Sequence, residues 1–271
     1  MYLLQKLQQR YGSGEARTLY EIIMQHRFNL SRTDILLGKD TTLSADDKAE
    51  LQIIVDRVAK GEPVQYVLGC EEFCGHTFRV APGVLIPRPE TQLLVKLVQQ
   101  HVAPGGSILD IGTGSGCIAI TLALYGYQMT ATDVSGEALC IARENAEHLH
   151  AEVRFEHENI LQPKARKKLW DAIVSNPPYI CQNEASGMDE NVLLYEPHLA
   201  LFVPDDNPLL FYRAIAEYGL RHLTENGRLF FETNRAYAKQ VKELLIQKGY
   251  GNVCIMNDQF DNERFVCAKK K

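Results

Sequence analysis

The chain is short of most features that would assign it to a membrane, to the cell exterior or to bare nucleic acid. Nowhere do ~18 apolar residues run together, so no membrane span is expected. The opening Met1-Tyr2-Leu3-Leu4-Gln5-Lys6 has no sustained apolar stretch, which argues against a signal peptide. Positive charge is not in excess: 29 Lys and Arg against 34 Asp and Glu give a net charge of −5. A broad basic face for gripping nucleic acid is therefore not expected, and no direct nucleic-acid partner is assigned. The seven cysteines are odd in number and scattered without C-x-x-C spacing, so a disulfide framework is not expected. Reduced thiols in a cytoplasmic chain are the expectation. Cys70, Cys74 and His76 form a C-x-x-x-C-x-H cluster, but no further ligand pair stands nearby, and no metal is assigned. Repeats and low-complexity segments are absent. The terminal Lys269-Lys270-Lys271 run reads as a solvated end.

What is present is an ordinary globular balance, 45% hydrophobic and 23% charged residues in a chain of 271. That length suits one large domain or a domain with an appendage, and its core needs no disulfide or metal. Two textures divide it. Residues 1–70 read as a small helical domain, with Leu3, Leu4 and Leu7, then Leu19, Ile22 and Ile23, then Leu51, Ile54, Val55 and Val58 at helical spacing. Ser44 followed by Asp47 predicts the start of the last of these helices, and Gly61-Glu62-Pro63 predicts its end. Residues 71–88 look extended, a linker hairpin turning at Cys74-Gly75.

Residues 89–271 alternate strand and helix. Strands are expected at Ser107–Ile111, Met129–Val134, Val153–His157, Trp170–Ser175, Arg228–Thr233, Val253–Met256 and Arg264–Ala268. Helices are expected at Cys117–Tyr125, Gly136–His148, Leu209–Leu223 and Ala236–Lys248. Such alternation predicts an α/β fold, a doubly wound and mostly parallel seven-stranded sheet of Rossmann-like type. Ligands of such sheets lie outside the carboxyl ends of the strands, so the loops after the strands are the place to search.

The first such loop is Asp110-Ile111-Gly112-Thr113-Gly114-Ser115-Gly116-Cys117. Three glycines at alternate positions let a ligand approach the backbone, and the helix that follows offers free N–H groups and a positive dipole end. Cys117 breaks the dinucleotide pattern G-x-G-x-x-G/A, and no Gly-Lys-Ser/Thr follows to make a P-loop. About twenty residues on, Asp133 stands at the tip of the second strand, where a carboxylate can accept hydrogen bonds from both ribose hydroxyls. Loop and acidic tip together mark a nucleoside-containing cofactor. They resemble the S-adenosylmethionine site of class I methyltransferases, and the identity of the cofactor comes from that resemblance.

After the Trp170–Ser175 strand comes Asn176-Pro177-Pro178-Tyr179. A planar nitrogen is a poor nucleophile because its lone pair is delocalised. Two acceptors fixed on its hydrogens would aim that lone pair at a methyl donor, and the Asn176 side-chain oxygen and the Pro177 carbonyl can serve. The prolines stiffen the loop without adding a competing N–H, and Tyr179 can pack its ring on a flat target. Catalysis is then mainly orientation. The tetrapeptide suits glutamine amides, adenine amino groups and certain guanine amino groups alike.

Gly83-Val84-Leu85-Ile86-Pro87-Arg88-Pro89-Glu90-Thr91 and Tyr195-Glu196-Pro197-His198-Leu199-Ala200-Leu201 are similar to two stretches of the HemK/PrmC family. These are glutamine methyltransferases of class I peptide chain release factors. With the glycine loop, Asp133 and Asn176–Tyr179, the resemblance spans roughly residues 62–233, and the helical lead region fits it. It implies a protein partner, the release factor, whose Gly-Gly-Gln glutamine would be held by Asn176, Pro177, Pro178 and Tyr179. It implies S-adenosylmethionine bound by Gly112, Thr113, Gly114, Ser115, Gly116 and Asp133, with Asn176 nearby and Asn159 and Ile160 bordering the adenine. Arg88 and Glu90 would shape the pocket mouth or form a surface ion pair. Glu232 would line the site or end its strand in solvent. Gln92 stands where many members carry Glu, Asn159 where an acid is frequent, and Ile160 at a place that is sometimes aromatic.

Overall fold

The structure, a computed structural model, describes residues 2–271. It divides into two compact units: Met1–Cys70 with Asp189–Tyr195, and Glu71–Met188 with Glu196–Lys271. The first unit contains helices α1 (Tyr2–Gln8), α2 (Ser13–Phe28), α3 (Arg32–Leu36), α4 (Ala45–Ala59) and α5 (Val64–Leu68). Their apolar stripes meet in one cluster, where Leu7, Ile23, Met24, Val55 and Val58 are fully buried. Helix α4 starts where the sequence predicts, because the Ser44 hydroxyl accepts from the Asp47 N–H at 3.1 Å. The added helix α5 follows Pro63, which serves as its N-cap residue.

The hairpin β1 (Cys70–Phe73) and β2 (His76–Arg79) turns at Cys74 and Gly75, both at positive φ, the geometry a tight two-residue turn demands. Beyond it come α6 (Thr91–His101), β3 (Ser107–Ile111), α7 (Cys117–Leu124), β4 (Gln128–Asp133), α8 (Gly136–His148), β5 (Val153–His157) and β6 (Trp170–Ser175). The chain then makes β7 (Ile180–Cys181), α9 (Glu190–Tyr195), α10 (His198–Leu201) and β8 (Phe202–Val203). It finishes with α11 (Leu210–His222), β9 (Leu223–Glu232), α12 (Ala238–Gln247), β10 (Gly251–Asn257) and β11 (Glu263–Lys269).

Seven strands form one sheet in the order β10-β11-β9-β6-β3-β4-β5. The β9-β6-β3-β4-β5 run is parallel, and β11 enters antiparallel between β9 and β10. Both faces are covered, and the central strands β3, β4 and β6 are buried along most of their length. Neighbours along each strand serve opposite faces: Ile108, Phe230 and Phe265 join one core with α6 and α7, while Leu109, Phe231 and Val266 join another with α11 and α12.

Two elements differ from the sequence expectation. Helix α6 stands where no element was expected; Leu94, Val95 and Val98 bury its one apolar side. Strand β9 begins at Leu223 rather than Arg228. Asn226, at positive φ, and Gly227 sit inside a bulge: Trp170 pairs with Leu223, and two residues later Ala172 pairs with Arg228.

Candidate active site

Chain order reverses about β3: β4 and β5 lie on one side, β6 and β9 on the other. The loops after β3 and β6 therefore meet at the crevice where open α/β sheets bind ligands. The glycine loop and the Asn-Pro-Pro-Tyr loop are those two loops.

The three glycines of the first loop have different tasks. Gly112 (φ 76°) and Gly114 (φ 56°) take left-handed conformations, and an added Cβ on either would meet only open space. Gly116 (φ 83°) is a packing glycine, since a Cβ there would stand 2.7 Å from Ile120 Cδ1 and 3.2 Å from the Ala142 Cβ. The loop is pinned from three sides. Gly112 and Thr113 N–H groups donate to the Thr132 carbonyl at 2.9 and 3.0 Å. The Gly114 N–H donates to Asp133 Oδ2 at 2.9 Å, and the Ser135 N–H to Asp133 Oδ1 at 2.8 Å. From α8, buried Asn145 donates to the Ser115 and Arg79 carbonyls at 2.9 and 3.0 Å, tying loop to hairpin.

The residues fit a nucleoside cofactor with ammonium and hydroxyl donors. Asp133 is half-buried, and each of its oxygens keeps a lone pair beyond its backbone bond. Beneath the loop, Asp110 Oδ1 and Ser115 Oγ are buried polar atoms without a partner. Burial pushes the Asp110 carboxyl up to about 7, although Thr113 Oγ1 donates to Oδ2 at 2.7 Å. Burial also raises Asp133, against the three backbone bonds that lower it. Asn159 is exposed and folds back, its Oδ1 accepting from the Leu161 N–H at 2.9 Å; Ile160 packs against the α11–α12 core. The buried acid after β5 is Glu158, one position earlier, and it is paired with Arg166.

The second loop starts from Ser175, whose hydroxyl donates to the Ile111 carbonyl at 2.6 Å and so locks β6 to β3 at the crevice. Asn176 and Tyr179 are half-buried, and Pro177 is buried. Asn176 Nδ2 donates to Thr91 Oγ1 at 3.4 Å; Thr91 Oγ1 donates to Glu232 Oε2 at 2.7 Å; the Tyr179 hydroxyl lies 3.5 Å from Glu232 Oε1. Glu232 is 1% exposed, so the solvated-end alternative is excluded. Ser175 pairs with Phe231 across β6 and β9, which brings the next residues, Asn176 and Glu232, alongside each other. Burial first, then Glu90, pushes the Glu232 carboxyl up to about 7 against the lowering influence of Thr91, Arg264 and Tyr179. Burial and Glu232 likewise raise the Tyr179 phenol.

Arg88 is engaged in an ion pair. Its guanidinium meets the Glu196 carboxylate at 2.5 Å, and Glu196 also accepts from the Ile86 N–H at 3.3 Å. The two stretches singled out in the sequence are thus joined to each other. Glu90 is the residue before α6, with its carboxylate near enough to Glu232 to raise it. No sequence signal marks a separate role at the site for Thr91, Glu196, Asp110 or Asn145. Among the described residues no group of three or more His, Cys, Asp or Glu is arranged to hold a metal, and no helix is long and apolar enough to cross a membrane. A separate cavity of about 400 Å³ opens at the amino ends of the strands, beside Gly105, Asp171 and Asn226. Its Asp171 carboxylate is already bonded by Ser107 and Thr224.

Comparison with known proteins shows the family and the fold. The family model Methyltransferase small domain matches residues 88–194, and PrmC N-terminal domain matches residues 2–69. In fold, the chain is similar to a methyltransferase from Pyrococcus furiosus, with a TM-score of 0.55 and 20% identity over 84% of this chain and 99% of that one. It is also similar to the Thermus thermophilus 16S rRNA N2 G1207 methyltransferase, with a TM-score of 0.56 and 19% identity over 74% and 50% of the two chains. The sheet and the two family models together mark an S-adenosylmethionine-dependent methyltransferase. A release factor glutamine methyltransferase of Bacteroides thetaiotaomicron is 44% identical over 99% of this chain and 98% of its own length. One of Flavobacterium psychrophilum is 38% identical over 97% and 95%. The chain belongs to the release factor glutamine methyltransferase family.

Proposed function

We propose that the protein methylates the side-chain amide nitrogen of the glutamine in the Gly-Gly-Gln motif of class I peptide chain release factors. The observation that carries this reading is the position of Asn176: half-buried at the end of β6, beside the glycine loop, with its Nδ2 already given to Thr91. An amide held that way turns Oδ1 toward the crevice as an acceptor, the group a planar NH₂ needs. The Pro177 carbonyl supplies the second acceptor, and Tyr179 and Pro178 form a wall for the flat amide. Gly112 to Gly116, Asp133 and the segment around Asn159 and Ile160 would hold S-adenosylmethionine, which when bound supplies a methyl group on a sulfonium. Held by two acceptors, the amide nitrogen would have its lone pair turned toward that methyl group, and the N–H proton it must give up on methylation would pass to solvent. Geometry rather than a strong base accounts for the rate.

The helical first unit would add contact surface for the release factor, and no nucleic acid is required. That substrate would be met in the cytoplasm, in keeping with the absence of a disulfide among the described residues. The test is direct. Incubated with methyl-labelled cofactor, a release factor should take label on the glutamine peptide, and its Gly-Gly-Ala variant should take none. Equal labelling of both, or label in accompanying RNA or DNA alone, refutes the reading.

A further inference from the structure

Asn176 can serve as the clamp only if its amide has one of its two orientations. Side chains from two other elements stand behind it. Glu232 ends β9, Thr91 begins α6, and both are buried, at 1% and 3% exposure. Glu232 Oε2 receives the Thr91 hydroxyl at 2.7 Å, and Thr91 Oγ1 in turn stands 3.4 Å from Asn176 Nδ2.

We infer that Glu232 and Thr91 are positioning residues that set the polarity of Asn176, and that the Pro87–Thr91 stretch exists at this site to deliver Thr91. An ionised carboxylate only accepts hydrogen bonds, so the hydroxyl of Thr91 has to donate to it. The lone pairs left on Oγ1 then face Asn176, and the amide turns its NH₂ group to them. Oδ1 is thereby left for the substrate nitrogen. Were the amide reversed, it would present two donors to a substrate NH₂ that is itself a donor, and the clamp would repel its ligand. The pair Arg88–Glu196 holds the same stretch in place three residues before Thr91. Around Glu232 stand Glu90 and Thr91 from the start of α6, Tyr179 from the loop after β6, Tyr212 from α11 and Arg264 from β11. Burial pushes its carboxyl up to about 7. Assays at about pH 8.5 therefore keep it ionised.

The inference rests on the proposed role of Asn176, and its test separates the two. Turnover of the full-length protein on a release factor is compared for wild type, Asn176→Ala, Thr91→Val, Thr91→Ser and Glu232→Gln, with cofactor affinity measured by calorimetry. Thr91→Val keeps the size of the side chain and removes the hydroxyl. It is expected to lower kcat by more than about tenfold while cofactor Kd stays within about twofold, because only orientation is lost. Thr91→Ser, which restores the hydroxyl, should bring kcat back to within about threefold of wild type. Glu232→Gln, free to donate or accept, should lose kcat without losing cofactor affinity. If Asn176→Ala is inactive but Thr91→Val turns over like wild type, the relay is wrong and the clamp stands. Equal loss in Thr91→Val and Thr91→Ser also overturns the relay, since packing of the methyl would then be the cause. If Asn176→Ala itself keeps wild-type turnover, clamp and relay both fall.

Discussion

Replacing Arg88 with methionine should destabilise the second unit more than any loss of surface charge would. The change leaves the Glu196 carboxylate, 1% exposed at its side chain, with one bond, from the Ile86 N–H at 3.3 Å. Breaking a buried pair by removing one partner costs about 3–5 kcal/mol, because the other charge stays buried. Arg88 is 34% exposed, so solvent already screens part of the attraction and water can follow the truncation inward. The discounted cost is about 2–3 kcal/mol, a fall in melting midpoint of roughly 4–12 °C. Glu196→Gln should cost less, about 1 kcal/mol, since the partly exposed guanidinium can turn to water. The double variant Arg88→Met/Glu196→Gln should be more stable than Arg88→Met alone. Urea unfolding followed by the fluorescence of the single tryptophan, Trp170, reads this unit directly, because that ring is fully buried in it. A loss below about 0.5 kcal/mol for Arg88→Met, or additive effects in the double variant, would refute the buried-pair argument.

The two glycine types should part on mutation. Gly116→Ala, at φ 83° and 2.7 Å from Ile120 Cδ1, should cost about 2–4 kcal/mol of stability, while Gly114→Ala should cost only about 1. Gly114→Ala should instead weaken cofactor binding by at least about tenfold in calorimetry; wild-type affinity would show that the open space beside Gly114 is not where the cofactor lies. Glu232→Gln should gain stability over wild type as pH rises. The native carboxyl holds its proton up to about 7 whereas the unfolded one releases it near 4.5, so the wild type loses stability across that window. Between pH 4.5 and 7, urea titrations should find the variant gaining on the wild type by on the order of 3 kcal/mol, about 2.5 pH units at about 1.4 kcal/mol each. A constant difference across that range would assign the burial cost to some other group.

Much of this molecule is legible from its sequence, and what is not legible has a physical reason. The glycine loop and Asn176–Tyr179 are readable because each solves a backbone problem locally, one by residues that tolerate positive φ and one by residues that lack an N–H. The central strands β3 and β6 are readable because burial on both faces gives them short apolar runs. The segment between Tyr179 and Leu210 was not readable. Its elements β7, α9, α10 and β8 are two to six residues long, too short for a period to show. Nor were the partnerships. Thr91 meets Glu232 across 141 positions and Asn176 across 85, and Arg88 meets Glu196 across 108. No pattern within a window reports such pairs, and Thr91, Glu232, Arg88 and Glu196 each look like an ordinary surface residue until the sheet order is known. That difference bears on how the site works. The legible residues define which atoms meet cofactor and substrate, whereas the illegible ones decide which way those atoms point. In a reaction whose barrier is lowered mainly by orientation, the second set governs the rate as much as the first. The Pro87–Thr91 stretch belongs to both: it is recognisable as a string of letters, but its use becomes apparent only where Thr91 reaches Asn176.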